Sequence, residues 1–404
     1  MVRSPTDHEI TFEYARVATE RGDYEAAVGA LERLLIYNPK LTRVKYELGA
    51  LYYKLASYEM AKRYFKEALE SPDIDPITRE RIATYMPDVE KQLTPSRFTG
   101  FAQVGIRSQS NANYAPTAGL VSLGGQQYAL LPGAQKRSDF NAFQLVGLSH
   151  DYDFGDQRAT TFETRFVGYA TQQFRFADLN VGLVDISMGP RFAIAPELYP
   201  GLTIKPYIVG GKAWVGGASY LTSGGAGVSM QVPVNDRFML GPEFEWRRST
   251  FDNNSPVALS GFDSGDWYTG GLSASYRIAQ QIKLDGRGMY REGRASLVWQ
   301  NFHQWVVEAA VTFEFAPPFE WISRNWSVAP FARWISTDFA APNPFIDPFT
   351  ARRDEQWSVG AMWNAPITRE LGFMATIQYD HIDSTLVNYR QNNFSVMVGP
   401  TARF

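Results

Sequence analysis

Residues 304–315 read Gln-Trp-Val-Val-Glu-Ala-Ala-Val-Thr-Phe-Glu-Phe, "QWVVEAAVTFEF". Trp305, Val307, Ala309, Val311, Phe313 and Phe315 share one parity, while Glu308, Thr312 and Glu314 hold the other. A helix would spread these residues around its axis; only an extended chain, with a period of two, sorts them onto an apolar and a polar face. "FMLGPEFEWR" at 238–247 repeats the arrangement, with Phe238, Leu240, Phe244 and Trp246 against Glu243, Glu245 and Arg247. So does "LGFMATIQYDH" at 371–381, with Phe373, Ala375, Ile377 and Tyr379 against Thr376, Gln378 and Asp380.

Working outward, strand-like runs are expected near 97–108, 139–153, 158–171, 177–194, 201–214, 218–234, 236–251, 265–280, 281–294, 300–316, 326–337, 354–366, 370–383 and 391–404, fourteen in all. Their joins are mostly tight, except for long Gly-, Ser-, Asn- and Pro-rich segments at 109–138, 252–264 and 338–353. An even number of strands, tight turns on one side and long loops on the other is the layout of an outer-membrane β-barrel. Trp246, Trp267, Trp305, Trp334 and Trp357 are expected in an extracellular aromatic girdle, with Trp326 and Trp363 in a periplasmic one. Loop 109–138 is the expected plug.

The composition agrees. Aromatics make up 14% of 404 residues and glycine is frequent, yet no stretch approaches the roughly 18 apolar residues of a spanning helix. The net charge of -3 gives no field for a nucleic-acid partner. Zero cysteines removes thiol catalysis, disulfides and Cys-ligated metals, and suits passage through an oxidising compartment. The opening "MVRSPTDHEI" has no apolar core of a secretory signal, and the signal is expected to have been removed.

The last run, "NNFSVMVGPTARF", places Phe394, Val396, Val398, Pro400, Ala402 and Phe404 on one face. It resembles the C-terminal signal read by the barrel assembly machinery, here carried by Phe394, Val396, Val398 and Phe404. The last strand must pair with the first, because an open edge in lipid leaves backbone groups unsatisfied at several kcal/mol each. Pro400 cannot donate to that ladder, so the seam is expected to be loosely bonded there.

Catalytic, metal and cofactor sites are not expected. Of His8, His150, His303 and His381, the last adjoins Asp380, but neighbours in a strand face opposite ways and form no dyad. "VGGKAWVGG" and "TSGGAGVS" open no helix and do not fit a phosphate loop. The inward-facing charges mix both signs: Glu163, Glu243, Glu245, Asp285, Glu308, Glu314 and Asp380 with Arg165, Arg247, Arg277, Lys283, Arg287, Arg333 and Arg403. Such a lumen either braces itself by cross-strand pairs or forms a hydrated path for a zwitterionic substrate. Few lumen aromatics are expected.

Before "LTPSRFTGF" the character changes: all ten tryptophans lie beyond residue 200, and only Gly22, Gly29 and Gly49 of the 33 glycines precede residue 97. Tyr24 recurs as Tyr58, Ala27 as Ala61, Leu31 as Phe65 and Leu35 as Leu69, a spacing of 34. This resembles the tetratricopeptide pattern without its signature tryptophan. Helices are expected near 8–20, 24–37, 42–55, 58–70 and 76–92, giving a periplasmic module at 1–94 and a barrel at 95–404. Phe12, Arg16, Tyr46, Ala50 and Tyr53 are expected to line a concave client-binding groove.

A tetratricopeptide module followed by a roughly fourteen-stranded barrel is similar to the surface lipoprotein assembly modulator family, and "RFTGFAQVGIRSQSNANYAP" looks like that family's first strand and Asn-rich loop. The resemblance implies an outer-membrane translocator, not an enzyme. Its helices would receive a polypeptide client and its barrel would pass or display it, with outer-membrane lipids and an envelope protein as further partners. A polysaccharide export porin or a passive barrel tethering an envelope complex are the alternatives.

Overall fold

The computed structural model describes residues 8–156, 160–253, 263–322 and 324–404, so most of the loop expected at 252–264 lies outside the described residues. The chain divides into two compact units, Met1–Pro95 and Ser96–Phe404.

The first unit holds helices α1 His8–Glu20, α2 Tyr24–Tyr37, α3 Thr42–Lys54, α4 Tyr58–Leu69 and α5 Pro76–Leu93. Asp23 caps α2 by accepting from the Ala26 amide at 3.1 Å, and Asp75 caps α5 by accepting from the Thr78 amide at 2.9 Å, with Pro76 at the first helical position. Leu31, Leu34, Val44 and Leu48 form one apolar cluster; Tyr46, Phe65, Ala68, Ile82 and Val89 form a second. Gly49 is required where α3 meets α4, because a Cβ there would lie 2.5 Å from the buried Phe65 ring.

The second unit is a closed barrel of fourteen antiparallel strands. The strands of this unit are β1 Ser96–Gln109, β2 Leu120–Leu123, β3 Gln126–Ala129, β4 Asp139–Asp153, β5 Thr161–Gln173, β6 Val181–Ala193, β7 Thr203–Val215 and β8 Ala218–Asn235. They continue as β9 Phe238–Phe251, β10 Gly265–Ala279, β11 Ile282–Ala295, β12 Phe302–Phe315, β13 Trp326–Pro342, β14 Ala351–Pro366, β15 Leu371–Ser384 and β16 Gln391–Arg403. Among the described residues only β2 and β3 stand outside the barrel, as a separate hairpin within the long loop 109–138 expected to be the plug. β16 closes on β1. Each end of the barrel thus has its own character: the terminal end carries Ser96 and Phe404, and the loop end carries the connections at 110–138, 343–350 and 385–390.

The register fixes which way each side chain faces. Glu308 pairs with Arg287 and Arg333, and Ala309 with Gly286 and Ala332, so the two residues alternate between lumen and exterior. On the outside, Val307, Phe313, Phe373, Ile377, Phe394, Val396, Val398 and Phe404 are all exposed, an apolar coat suited to hydrocarbon. No helix among the described residues is long and apolar enough to cross a membrane. Trp334 and Trp357 pack together on the outer face at 6.2 Å, and Trp326 and Trp363 at 5.3 Å nearer the terminal end.

Trp267 departs from the expected girdle. It pairs with Arg247 and Gly293, both inward positions, and therefore points into the lumen.

At the seam, paired residues run from Phe101–Arg403 to Gln103–Thr401 and resume at Ile106–Val398, so the ladder skips the stretch opposite Gly399 and Pro400. The strands pass very closely there: a Cβ on Gly399 would lie 1.9 Å from the Val104 carbonyl oxygen, and one on Gly105 2.2 Å from that of Val398.

Candidate functional site

The inner wall of the barrel is built from charges that face one another across strands. Glu163 is a hub: its carboxylate accepts from Arg191 Nε at 2.6 Å, lies 3.1 Å from Lys205 Nζ, and stands 3.6 Å from Arg165. Arg165 reaches Asp151 at 2.5 Å. Arg247 bonds both Asp185 at 2.6 Å and Glu245 at 3.0 Å. Arg287 pairs with Glu243, Lys283 with Asp285 at 2.8 Å, and Arg333 with Glu308 at 3.8 Å. Asp380 accepts from Ser358 Oγ at 2.6 Å and Gln378 Nε2 at 2.7 Å, and Arg403 donates to Asn364 Oδ1 at 2.9 Å. Arg277 and Glu314 also lie on the inner face, towards the terminal end.

Sequence reasoning missed Asp151, Asp185, Arg191 and Lys205, which complete these pairs. Their signal was parity: each occupies the inward positions of its strand, as the pairings Asp151–Glu163 and Thr161–Arg191 show. Within this lattice lies a cavity of about 670 Å³ bordered by Arg191, Glu243, Asp285, Arg287, Glu308 and Arg333, three acids and three bases.

A second cavity of about 670 Å³ sits at the loop end. Its wall contains Tyr220, Phe251, Trp267, Phe302, Phe339 and Tyr389, so the expectation of few lumen aromatics is corrected. Two local devices put them there. The β7–β8 pairing shifts from Ala213–Leu221 to Trp214–Ser219, and this bulge places an extra residue, Tyr220, against Phe251. On β11, Gly293 lies between Trp267 and Phe302 and offers no side chain, so the two rings meet across it at 5.9 Å.

The loops over this cavity are tied together. Gly124 and Gly125 amides of the β2–β3 hairpin donate to the Phe345 and Ile346 carbonyls at 3.0 and 2.9 Å. Asn388 accepts from the Ser122 amide at 2.7 Å and donates to the Ser122 carbonyl at 3.1 Å. Phe345, Ile346 and Tyr389 themselves border the cavity.

In the helical unit the groove expectation meets a different geometry. Tyr46 is buried in the second cluster against Phe65, and Tyr53 is sandwiched by Tyr58 and Tyr85 with its hydroxyl donating to Asp88. That hydrogen bond, aided by burial, raises the Tyr53 hydroxyl above its ordinary pKa. Tyr46 is core and Tyr53 packs half-buried against the same cluster, because α5 packs over the face that an open repeat would present. Ala50 is partly buried against the same cluster. Phe12 is partly buried beneath the Arg43 guanidinium at 5.0 Å. Only Arg16 is exposed, and it bonds Glu13 and Glu20 of its own helix.

Among the histidines whose side chains are described, His150 bonds Ser96 Oγ at 2.6 Å and His303 bonds Tyr290 at 2.8 Å. Among the described residues no group of three or more His, Asp or Glu side chains could hold a metal ion.

No protein-family model and no curated protein sequence matches the chain. Solved structures similar to it include a bacterial polysaccharide outer membrane secretin, 11% identical, covering 75% of this chain and 98% of that one at a TM-score of 0.37. An outer membrane channel from Pseudomonas putida is 10% identical over 76% of this chain and 95% of its own, at a TM-score of 0.42. An anion-selective porin from Comamonas acidovorans is 10% identical over 76% and 99%, at a TM-score of 0.37. The architecture stated above rests on the closed strand ladder itself.

Proposed function

We propose that the chain is an outer-membrane translocator: residues 1–94 receive a polypeptide client in the periplasm, and the barrel passes or displays it at the cell surface. The observation that carries this reading is the lumen. Acids and bases are balanced around its cavity and most of them pair along the wall, bordering a space that a chain of mixed charge can enter without meeting a wall of one sign. The helical unit adds exposed apolar side chains at Ile36, Tyr37 and Ile77, which binding of a polypeptide segment would cover.

A specific observation also favours a second reading, polysaccharide export: the aromatic lining of the loop-end cavity. Crosslinking the full-length protein in its native membrane, followed by mass spectrometry and monosaccharide analysis of what is captured, separates the two. A secreted polypeptide crosslinked within residues 8–93 supports the first reading. Captured glycan without polypeptide transfers the assignment to export. Capture of a resident envelope complex alone makes the protein a structural tether.

A further inference from the structure

The loop-end cavity is more than a gap between loops. Its rings form a continuous stripe around the inner wall: Tyr220 to Phe251 at 5.3 Å, Phe251 to Trp267 at 6.2 Å, Trp267 to Phe302 at 5.9 Å, and Phe302 to Phe339 at 6.0 Å. Structural economy does not call for this. A wall that only had to stay closed is served by the cross-strand ion pairs found elsewhere in the lumen, whereas rings that meet edge-to-face or tilted and also border a cavity leave part of their surface without the packing contacts that make aromatic residues useful in a core.

At the end of the stripe the polar groups are arranged around one vacant acceptor. Arg352 stacks over Tyr389 at 3.3 Å and over Phe339 at 4.7 Å, and its Nε donates to Asp354 Oδ2 at 2.8 Å. The other oxygen, Asp354 Oδ1, is buried with no hydrogen-bond partner, in a residue only 9% exposed that borders the cavity. A buried carboxylate oxygen left unpaired is costly and calls for a donor. Gln300, Gln304, Gln356 and Asn343 supply further donors and acceptors around the same space.

The charge balance narrows the ligand. Arg352 and Asp354 neutralise each other, and burial pushes the carboxyl of the remaining acid, Asp263, above the usual range, although Arg352 pulls the other way. An anionic ligand has no unpaired base to meet, since Arg352, the one base among the described residues bordering this cavity, is paired with Asp354. What fits flat apolar faces, a vacant acceptor and a rim of amides is a molecule with apolar C–H faces edged by hydroxyls.

We propose that this cavity is a binding subsite for a neutral oligosaccharide, whose pyranose faces stack along the Tyr220–Phe339 stripe while a hydroxyl donates to Asp354 Oδ1. Its volume of about 670 Å³ lies within the range of ligand pockets, roughly 300–1,000 Å³. The inference does not rest on the polypeptide reading; a translocator with a saccharide subsite at its outer mouth is compatible with either client, and client capture is measured separately.

The test is titration of the full-length protein in detergent with maltotriose, cellotriose and triacetylchitotriose, followed by calorimetry and tryptophan fluorescence. At least one should bind saturably and change the tryptophan emission. Asp354→Asn keeps the shape of the side chain but removes its charge, and should weaken binding about tenfold, the loss of one charge-assisted hydrogen bond. Trp267→Leu should weaken it similarly and reduce the emission change, whereas Glu308→Gln in the ion-paired cavity should leave affinity unchanged. Heat-modifiable gel mobility checks that each variant is folded; should either loop-end variant fail to fold, Gln356→Ala takes its place. Absence of saturable binding by all three sugars overturns the proposal, as does binding that Asp354→Asn and Trp267→Leu both leave intact, or equal weakening by Glu308→Gln.

Discussion

Single residues decide both units by what they leave room for. Gly49 is the small position of α3, and two effects oppose each other when it becomes alanine. Helix propensity favours alanine by about 1 kcal/mol, while forcing a Cβ against the fully buried Phe65 ring costs about 1–3 kcal/mol in overpacking. The clash wins because Phe65 is enclosed and cannot swing away. Gly49→Ala should therefore lower the urea midpoint of the helical circular-dichroism signal while barrel mobility on gels stays unchanged; a raised midpoint would show that propensity dominates.

Facing is equally sharp on the barrel. Ala309→Arg puts a guanidinium on the hydrocarbon side, at a cost of roughly 2–4 kcal/mol near the midplane, whereas Thr312→Glu enters the lumen opposite Lys283. The first should deplete the heat-modifiable folded band and the second should retain it. The parity of 302–315 made this assignment legible in the sequence. Trp267 was misread because its strand offers little contrast between faces: Gly270, Gly271 and Ser273 mask the alternation, and only pairing with Arg247 turns the indole inward. Tyr220 was illegible for another reason, since a bulge reverses local parity and depends on the neighbouring strand. Tyr46 and Tyr53 carry the apolar spacing of a groove, but the same spacing serves a core once α5 covers it.

At the scale of elements, the strands and helices were readable because each has a single dominant period, and loop 110–138 was not because it has none. The β2–β3 hairpin inside it gains its order from outside its own sequence, through bonds to Phe345, Ile346 and Asn388. This makes it a brace on the loops that border the aromatic cavity. Deleting 118–131 removes those bonds at once and should raise single-channel conductance in planar bilayers, with more frequent transitions between levels. Asn388→Ala, which takes away only the two bonds to Ser122, should produce the fluctuations with a smaller rise in mean conductance. Unchanged traces from both variants would mean that wall side chains, not the braced loops, limit the passage.

At the scale of the molecule, the paired lumen predicts a permeation property. Three acids and three bases around the central cavity give no dominant sign, so the reversal potential in a salt gradient should lie near zero. Arg333→Glu replaces one base with an acid beside Glu308 and should shift it towards cation preference. A strong selectivity in the unaltered protein would indicate that charges at the rims, not the lattice, control entry.

The division at residue 95 makes the helical unit removable without touching a barrel strand, since β1 begins at Ser96 and closure is made between β1 and β16. Backbone satisfaction in the membrane comes entirely from that ladder, so the barrel has no energetic need of the helices. Deleting residues 2–94 behind the secretion signal used for expression should therefore leave the heat-modifiable band intact while the amount of client at the surface falls strongly, as protease shaving of intact cells and mass spectrometry would measure. This is a cleaner separation than altering Tyr46 or Tyr53, whose loss would unravel the helical core and confuse folding with recognition. Loss of the folded band would show that the helices assist assembly. A folded barrel with unchanged surface proteins but a missing surface polysaccharide would assign the helices to export, and a folded barrel with neither change would leave them as a tether.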